Sequence, residues 1–240
     1  MEIHNIKDVP DSILIRLTEL VNTDCQPSTF SLIDIRDKYS KNTDVLFLFE
    51  DETPIYFLLL DLFVKHKMVY IHDVCVNKKH RGKSLFKASL TFLKDHYLKK
   101  GYTNFTLDAS DSIKEEGLNQ KIRIHIFHKA GFDINTETGY FTETGDYTII
   151  KTRVLLDNDE IVEIQSKEGT NYLVRNDKGK EYLMKIGQIE KCLDAESNQL
   201  PCPMIMDLHT KGGRRKTQKT RKQSRTNETL KNGHQRRPRV

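Results

Sequence analysis

A short basic loop between an apolar stretch and a helix is the part of this chain best suited to chemistry. The loop is Arg81-Gly82-Lys83-Ser84; Met68–Val76 before it is apolar enough for a strand, and residues 84–98 after it repeat apolar side chains at helical spacing. The first N–H groups of a helix have no partner within it, and the helix dipole adds partial positive charge there. A strand that enters a helix through such a loop therefore predicts a site for the phosphate groups of a ligand.

The elements around this loop predict a mixed sheet with helices packed on it. Apolar periodicities over residues 1–156 give the order β, α, α, β, β, β, α, β, α, β, β, which is an α/β (α+β) pattern. Residues 157–209 contain three short strand patterns and resemble a small β-meander. We therefore predict a domain at residues 1–156, a β-rich appendage at 157–209 and a tail at 210–240. The helix after the loop is expected to bury Leu85, Ala88, Phe92, Leu93 and Tyr97.

The charge of the chain is concentrated at its C-terminal end. Residues 210–240 hold 12 of the 39 Lys and Arg residues and only one of the 34 Asp and Glu residues, so the body is mildly acidic. With only Leu230 and Val240 as aliphatic residues, the tail is expected to be disordered alone and to favour nucleic acid or another polyanion. The alternatives are a solubilising tail and a nuclear-import patch. Its composition resembles the termini of proteins from giant DNA viruses.

The four cysteines, Cys25, Cys75, Cys192 and Cys202, are too sparse to indicate a disulfide framework. Cys75 is expected to be a small buried hydrophobe, and the spacing of the others gives no metal site, so no metal is predicted. Residues 1–12 lack a signal-peptide core, and no apolar run is long enough to cross a bilayer. We expect a reducing cytoplasmic or nuclear location without membrane contact, with virion association as a further alternative.

Two motifs resemble the GCN5-related N-acetyltransferase (GNAT) superfamily. Arg81 matches the first position of the family's Q/R-x-x-G-x-G/A acetyl-CoA motif, while Ser84 and Phe86 stand at its two small residues. Downstream, Ile126-Phe127-His128-Lys129-Ala130-Gly131-Phe132 resembles the family's LYxKxGF helix end, with Phe127 where a tyrosine commonly protonates the departing thiolate. The resemblance covers roughly residues 1–155. It implies the acyl-CoA N-acyltransferase fold, a mixed and mostly antiparallel sheet flanked by helices.

The resemblance implies acetyl-CoA as acyl donor and places its binding site. Backbone N–H groups of Arg81, Gly82, Lys83, Ser84, Leu85 and Phe86 would bind the pyrophosphate. The side chains of Arg81 and Lys83 are expected to pair with phosphate, and the Phe86 ring to turn into the core. The end of the strand at Val74, Cys75 and Val76 would splay from its neighbour, leaving a backbone N–H to polarise the thioester carbonyl.

An ammonium group must lose a proton before it can attack a thioester. A primary amine with a pKa near 10.4 is neutral in only about one molecule in 2,500 at pH 7, so a base would help. His72 and Asp73, beside the splay, are the candidates, and strand alternation is expected to place them on opposite faces of the sheet. With Phe127 in place of the usual acid, Tyr140, Tyr147 or water are the alternatives, whereas His128 should point elsewhere.

These observations predict an N-acetyltransferase in which a primary amine attacks acetyl-CoA directly. The alternative is a catalytically inactive protein of the same fold that binds nucleic acid, or associates with virions, through its basic tail. The acidic body weakly suits cationic acceptors such as polyamines, aminoglycosides, and the lysines or N-termini of proteins.

Overall fold

A seven-stranded sheet forms the centre of the computed structural model, which describes residues 1–25, 31–39, 42–110, 119–141, 147–194 and 197–209. Its strands are β1 (Glu2–Asn5), β2 (Thr43–Glu50), β3 (Thr53–Phe63), β4 (Met68–Val76), β5 (Asn104–Ala109), β6 (Asp133–Ile134) and β15 (Cys202–Asp207). The order is β1-β2-β3-β4-β5-β15-β6, and only β4 and β5 are parallel neighbours. The predicted mixed, mostly antiparallel sheet is thus confirmed.

Helices pack on both faces of this sheet. The helices are α1 (Asp11–Asp24), α2 (Leu32–Tyr39), α3 (Leu85–Lys99) and α4 (Gln120–Ala130). α1 and α2 share one hydrophobic cluster with Phe57, Leu59 and Cys75 of the sheet. α3 and α4 lie on the opposite face, in a cluster with Leu58, Ile71 and Phe105. No helix in the described part of the chain is long and apolar enough to cross a membrane.

The buried face of α3 agrees with the prediction at Leu93 and Tyr97 and differs from it elsewhere. Ser89, Leu90, Leu93 and Tyr97 are buried, whereas Phe92 is 40% exposed and Ala88 is exposed. Ser89 is polar, but its hydroxyl oxygen lies 2.6 Å from that of Tyr56, so this side chain can be buried with its hydrogen bond satisfied. The helix face is rotated toward Ser89, which an apolar pattern alone does not predict.

A second sheet is formed by the C-terminal half of the described chain. It contains β9 (Arg153–Leu156), β10 (Ile161–Glu168), β11 (Asn171–Asn176), β12 (Glu181–Lys185), β13 (Ile189–Leu193) and β14 (Gln199–Leu200). The order is β12-β11-β10-β9-β13-β14, with antiparallel neighbours throughout. β7 (Glu137–Phe141) and β8 (Tyr147–Lys151) pair separately with each other.

Both sheets contain strands from either side of residue 156 or its immediate neighbours. β9 ends at Leu156 but belongs to the second sheet, and β15 returns to the central sheet between β5 and β6. One hydrophobic cluster joins the sheets, and the Ile134 N–H donates to the Tyr172 hydroxyl across them at 3.0 Å. Residues 157–209 therefore contribute strands to both sheets, and the division of the chain into domains stays a prediction. The predicted tail, 210–240, lies outside the described residues.

The cysteines form two disulfides, which corrects the prediction from their spacing. Cys25, at the end of α1, is bonded to Cys75 in β4 with their Cα atoms 5.8 Å apart. Cys192 in β13 is bonded to Cys202 at the start of β15, with a Cα separation of 5.1 Å. Packing of α1 on β4 brings Cys25 to Cys75. Cys75 is buried, as expected.

Candidate functional site

β4 and β5 diverge before β4 reaches the loop that precedes α3. They pair only at Met68 with Asn104, Val69 with Phe105 and Tyr70 with Thr106, so residues 71–76 have no partner in β5. The expected splay is present. It opens a gap in the middle of the sheet.

Two backbone N–H groups of β4 point into this gap. The N–H of Asn77 donates to the Ile55 carbonyl of β3 at 2.9 Å, so alternation along the strand turns the N–H groups of Val74 and Val76 away from β3. The Val76 carbonyl, which points the same way, accepts a hydrogen bond from Arg81 Nε at 3.3 Å. Val74 and Val76 are thus the residues whose N–H groups could polarise a carbonyl placed in the gap.

A β-bulge at His72 changes the direction of the side chains before the gap. Leu60 is opposite Ile71 and Leu59 is opposite Asp73, so His72 is the extra residue. The expectation that His72 and Asp73 lie on opposite faces is therefore wrong. His72 Nε2 lies 4.0 Å from Asp73 Oδ2, and both side chains are accessible at the cleft.

Polar side chains from three strands converge beside the bulge; we call Asp61, Tyr70, His72, Asp73 and Asp108 the cleft cluster. His72 Nδ1 lies 3.0 Å from Asp61 Oδ2, and the Tyr70 hydroxyl donates to Asp108 Oδ2 at 2.9 Å. The hydrogen bond to Asp61, aided by the charge of Asp73, raises the pKa of His72. Burial raises the pKa of Tyr70 and that of Asp108. Tyr70 is therefore neutral at physiological pH.

The loop before α3 offers unpaired backbone donors. The first helical hydrogen bond runs from the Ala88 N–H to the Ser84 carbonyl at 3.0 Å, and the N–H groups of residues 82–87 have no acceptor among the described residues. Gly82 and Ser84 have φ values of 76° and 58°, which turn successive N–H groups toward one side. A Cβ at Gly82 would meet nothing within 4 Å, so this surface is open.

The two basic side chains predicted to bind phosphate have other contacts within the protein. Arg81 Nη2 donates to the Asp24 carbonyl at 2.7 Å, in addition to the bond to Val76, so Arg81 holds the loop against β4 and the end of α1. Lys83 Nζ lies 3.2 Å from His80 Nδ1 and remains exposed. Nε and Nη2 of Arg81 are thus hydrogen-bonded within the protein.

Phe86 and Phe127, the two bulky departures from the family motifs, contact each other. Their ring centroids are 5.7 Å apart, and both rings pack on Phe132, at 6.4 and 6.3 Å. The Phe86 ring thus turns into the core, as expected. His128 Nδ1 lies 3.0 Å from the Phe132 carbonyl oxygen, at the end of α4. The side chains of Tyr140 and Tyr147 lie outside the described residues.

Replacing Ser84 by glycine is expected to stabilise the protein. Ser84 holds φ 58° and ψ 26° at the start of α3 without a capping bond from its side chain. A left-handed conformation costs a non-glycine residue about 1–2 kcal/mol, while the greater chain entropy of glycine recovers part of this difference. We expect the free energy of unfolding to rise by up to about 1 kcal/mol in urea denaturation. Lys87→Gly, within α3, should instead lower it by about 1 kcal/mol; a loss in both variants would contradict this account.

Part of this chain matches a known protein family. Residues 15–132 match the model of the acetyltransferase (GNAT) family. The ribosomal-protein-S18-alanine N-acetyltransferase from Escherichia coli is similar over 89% of this chain and 97% of its own, with 11% identity and a TM-score of 0.47. An aminoglycoside 6'-N-acetyltransferase complexed with coenzyme A is similar over 62% of this chain and 94% of its own, with 12% identity and a TM-score of 0.46. The PaiA N-acetyltransferase from Thermoplasma acidophilum, in complex with coenzyme A, shares 19% identity over 62% of this chain and 96% of its own, with a TM-score of 0.39. No curated protein matches the sequence.

Proposed function

Because the chain belongs, through residues 15–132, to the acetyltransferase (GNAT) family, we propose that it transfers an acetyl group from acetyl-CoA to a primary amine. The observation that carries this proposal is the gap between β4 and β5. Along β4, the cleft cluster precedes the gap residues Val74 and Val76, and the loop, whose N–H groups have no acceptor among the described residues, follows them. An acyl donor and an amine can therefore meet at the backbone of Val74 and Val76.

The loop fits the pyrophosphate of acetyl-CoA. The N–H groups of residues 82–87 have no acceptor among the described residues, and they lie at the positive end of the α3 dipole. Lys79, Lys83 and Lys87 are exposed nearby and add positive charge without needing fixed geometry. Gly82 leaves room for a phosphate to approach the backbone.

The backbone at the gap supplies the electrostatic part of the reaction. A thioester carbonyl beside β4 would accept a hydrogen bond from the N–H of Val74 or Val76, which stabilises the negative charge that forms as nitrogen attacks. The C–N bond forms, the C–S bond breaks, and the electron pair leaves on the sulfur of CoA. A CoA thiol resembles cysteine, whose pKa is about 8.5, so water can protonate it without the tyrosine that Phe127 replaces.

The cleft cluster favours a cationic acceptor. Asp61, Asp73 and Asp108 bring three carboxyl groups to the side of the gap from which an amine would approach. An ammonium ion is attracted there before it is deprotonated. His72 and Asp73 are the candidate bases. The acceptor class that we propose is thus a positively charged primary amine.

Acetyl-CoA is expected to bind the full-length protein and to protect it from thermal unfolding. Calorimetry would measure the binding, and acetylation of a panel of polyamines, an aminoglycoside and lysine peptides would measure turnover.

We further propose that residues 210–240 bind nucleic acid, so their deletion should abolish salt-sensitive DNA binding but leave acetyl-CoA turnover intact. Absence of both heat and thermal protection at high protein concentration would contradict the enzymatic proposal, and DNA binding alone would favour the inactive alternative.

A further inference from the structure

We propose that Asp61 is a positioning residue that fixes His72 as the general base and leaves His72 Nε2 to receive the proton of the amine. This proposal rests on the acetyl transfer proposed above and selects between the two candidate bases. It also assigns a role to a residue of β3 that no motif indicates.

Asp61 is held in place by both of its carboxylate oxygens. Thr43, Asp61 and Tyr70 are opposite one another in β2, β3 and β4. The Thr43 hydroxyl, on a buried residue, donates to Asp61 Oδ1 at 3.0 Å, and Asp61 Oδ2 lies 3.0 Å from His72 Nδ1. One oxygen of the Asp61 carboxylate is thus held by Thr43 of the neighbouring strand, and the other oxygen contacts His72.

This contact fixes the tautomer of His72. A carboxylate only accepts hydrogen bonds, so the proton between the two residues belongs to Nδ1 of the imidazole. In the neutral ring, Nε2 then carries the lone pair. Asp73 lies 4.0 Å from Nε2, beyond hydrogen-bonding distance, and half of the His72 side chain is exposed. An amine can therefore reach Nε2 from the cleft.

The charges around His72 favour its role as a base. Asp61 faces it from β3 and Asp73 from β4, while Tyr70 lies beside it, with ring centroids 5.9 Å apart, and donates to Asp108 of β5. The two carboxylates raise the pKa of His72, whereas its partial burial lowers it. The net effect is a raised pKa, so His72 is a stronger base than a free imidazole. The pH above which its ring is neutral and can accept a proton is correspondingly higher.

The proton transfer completes the reaction described above. The ammonium form of the acceptor first releases one proton to solvent. A second N–H proton of the attacking amine then passes to Nε2 as the C–N bond forms, giving an imidazolium stabilised by Asp61 and Asp73. The C–S bond then breaks with its electron pair on sulfur. The imidazolium returns its proton to solvent, and the thiolate takes one up, so protons and electrons balance without another reactant.

The test compares Asp61→Asn with the wild-type full-length chain by two measurements. Asparagine keeps the size of the side chain and can still accept from Thr43, but it removes the charge. The pH dependence of kcat/KM, with the best acceptor of the amine panel, should show an acid limb that moves to lower pH in the variant. The rate on its plateau should fall by roughly tenfold or more. NMR titration of the imidazole signals, with His72 identified among the nine histidines by its loss in His72→Gln, should show the same displacement.

Asp95→Asn provides the matched control, because Asp95 is an exposed carboxylate on α3, on the other face of the sheet. It should leave both the acid limb and the His72 titration unchanged. A slower Asp61→Asn enzyme whose acid limb and His72 titration stay at the wild-type pH would overturn the positioning role while leaving acetyl transfer intact. Failure of the wild-type chain to bind or use acetyl-CoA would instead refute the proposed function.

Discussion

We expect the His72→Gln variant to bind acetyl-CoA as tightly as the wild-type chain but to acetylate its acceptor about a hundredfold more slowly. Glutamine can still donate a hydrogen bond to Asp61, so the bulge in β4 should persist. It cannot accept a proton at physiological pH. Because the neutral form of His72 limits the rate at low pH, the acid limb of the pH profile should also disappear.

Steady-state kinetics and calorimetry on the same preparations would separate the two effects. His66→Gln is the matched control, since His66 is an exposed histidine in the turn between β3 and β4 and should leave kcat unchanged. Asp73→Asn should reduce the rate less than His72→Gln does. A large loss in Asp73→Asn with little change in His72→Gln would show that Asp73 is the base and that the Asp61–His72 pair is structural.

Local sequence signals predict correctly the strand, the loop and the helix that surround the proposed donor site. The end of β4, the loop and the start of α3 lie within about 20 residues, and their strand, turn and helix patterns depend on short-range spacing. The positive φ of Ser84 explains why the family motif has glycine at that position. The sequence does not reveal that Arg81 contacts Asp24, because that contact depends on where α1 ends in space.

The contacts within the cleft cluster, where the amine acceptor is proposed to bind, depend on strand register. The sequence alone does not reveal that register. His72 and Asp73 come together only because one extra residue is accommodated in β4. Asp61 interrupts an apolar run of β3, and this interruption is the one local signal of its role. Its pairing with His72 requires the register of β3 and β4. The position of β15 and both disulfides likewise follow from contacts between distant segments.

Phe132→Ala is expected to lower the free energy of unfolding by about 3–5 kcal/mol. Phe132 is fully buried, contacts the rings of Phe86 and Phe127, and donates its N–H to the Phe127 carbonyl at 3.0 Å where α4 ends. Alanine would leave a cavity between the first turn of α3 and the last turn of α4. Urea denaturation measures the loss, and Phe132→Leu, which keeps most of the volume, should lose less.

The same cavity should weaken acetyl-CoA binding, because Phe86 belongs to the turn whose N–H groups are proposed to bind the phosphates. Phe92→Ala is the matched control: its ring is 40% exposed on α3, so its removal should cost about 1 kcal/mol or less and leave affinity unchanged. Equal losses of stability in the two alanine variants would contradict the assigned packing. A destabilised Phe132→Leu protein with unchanged affinity would show that the aromatic cluster supports the fold without ordering the loop. Reduced affinity in that folded variant would show that the aromatic residues at the two motif positions hold the donor site together.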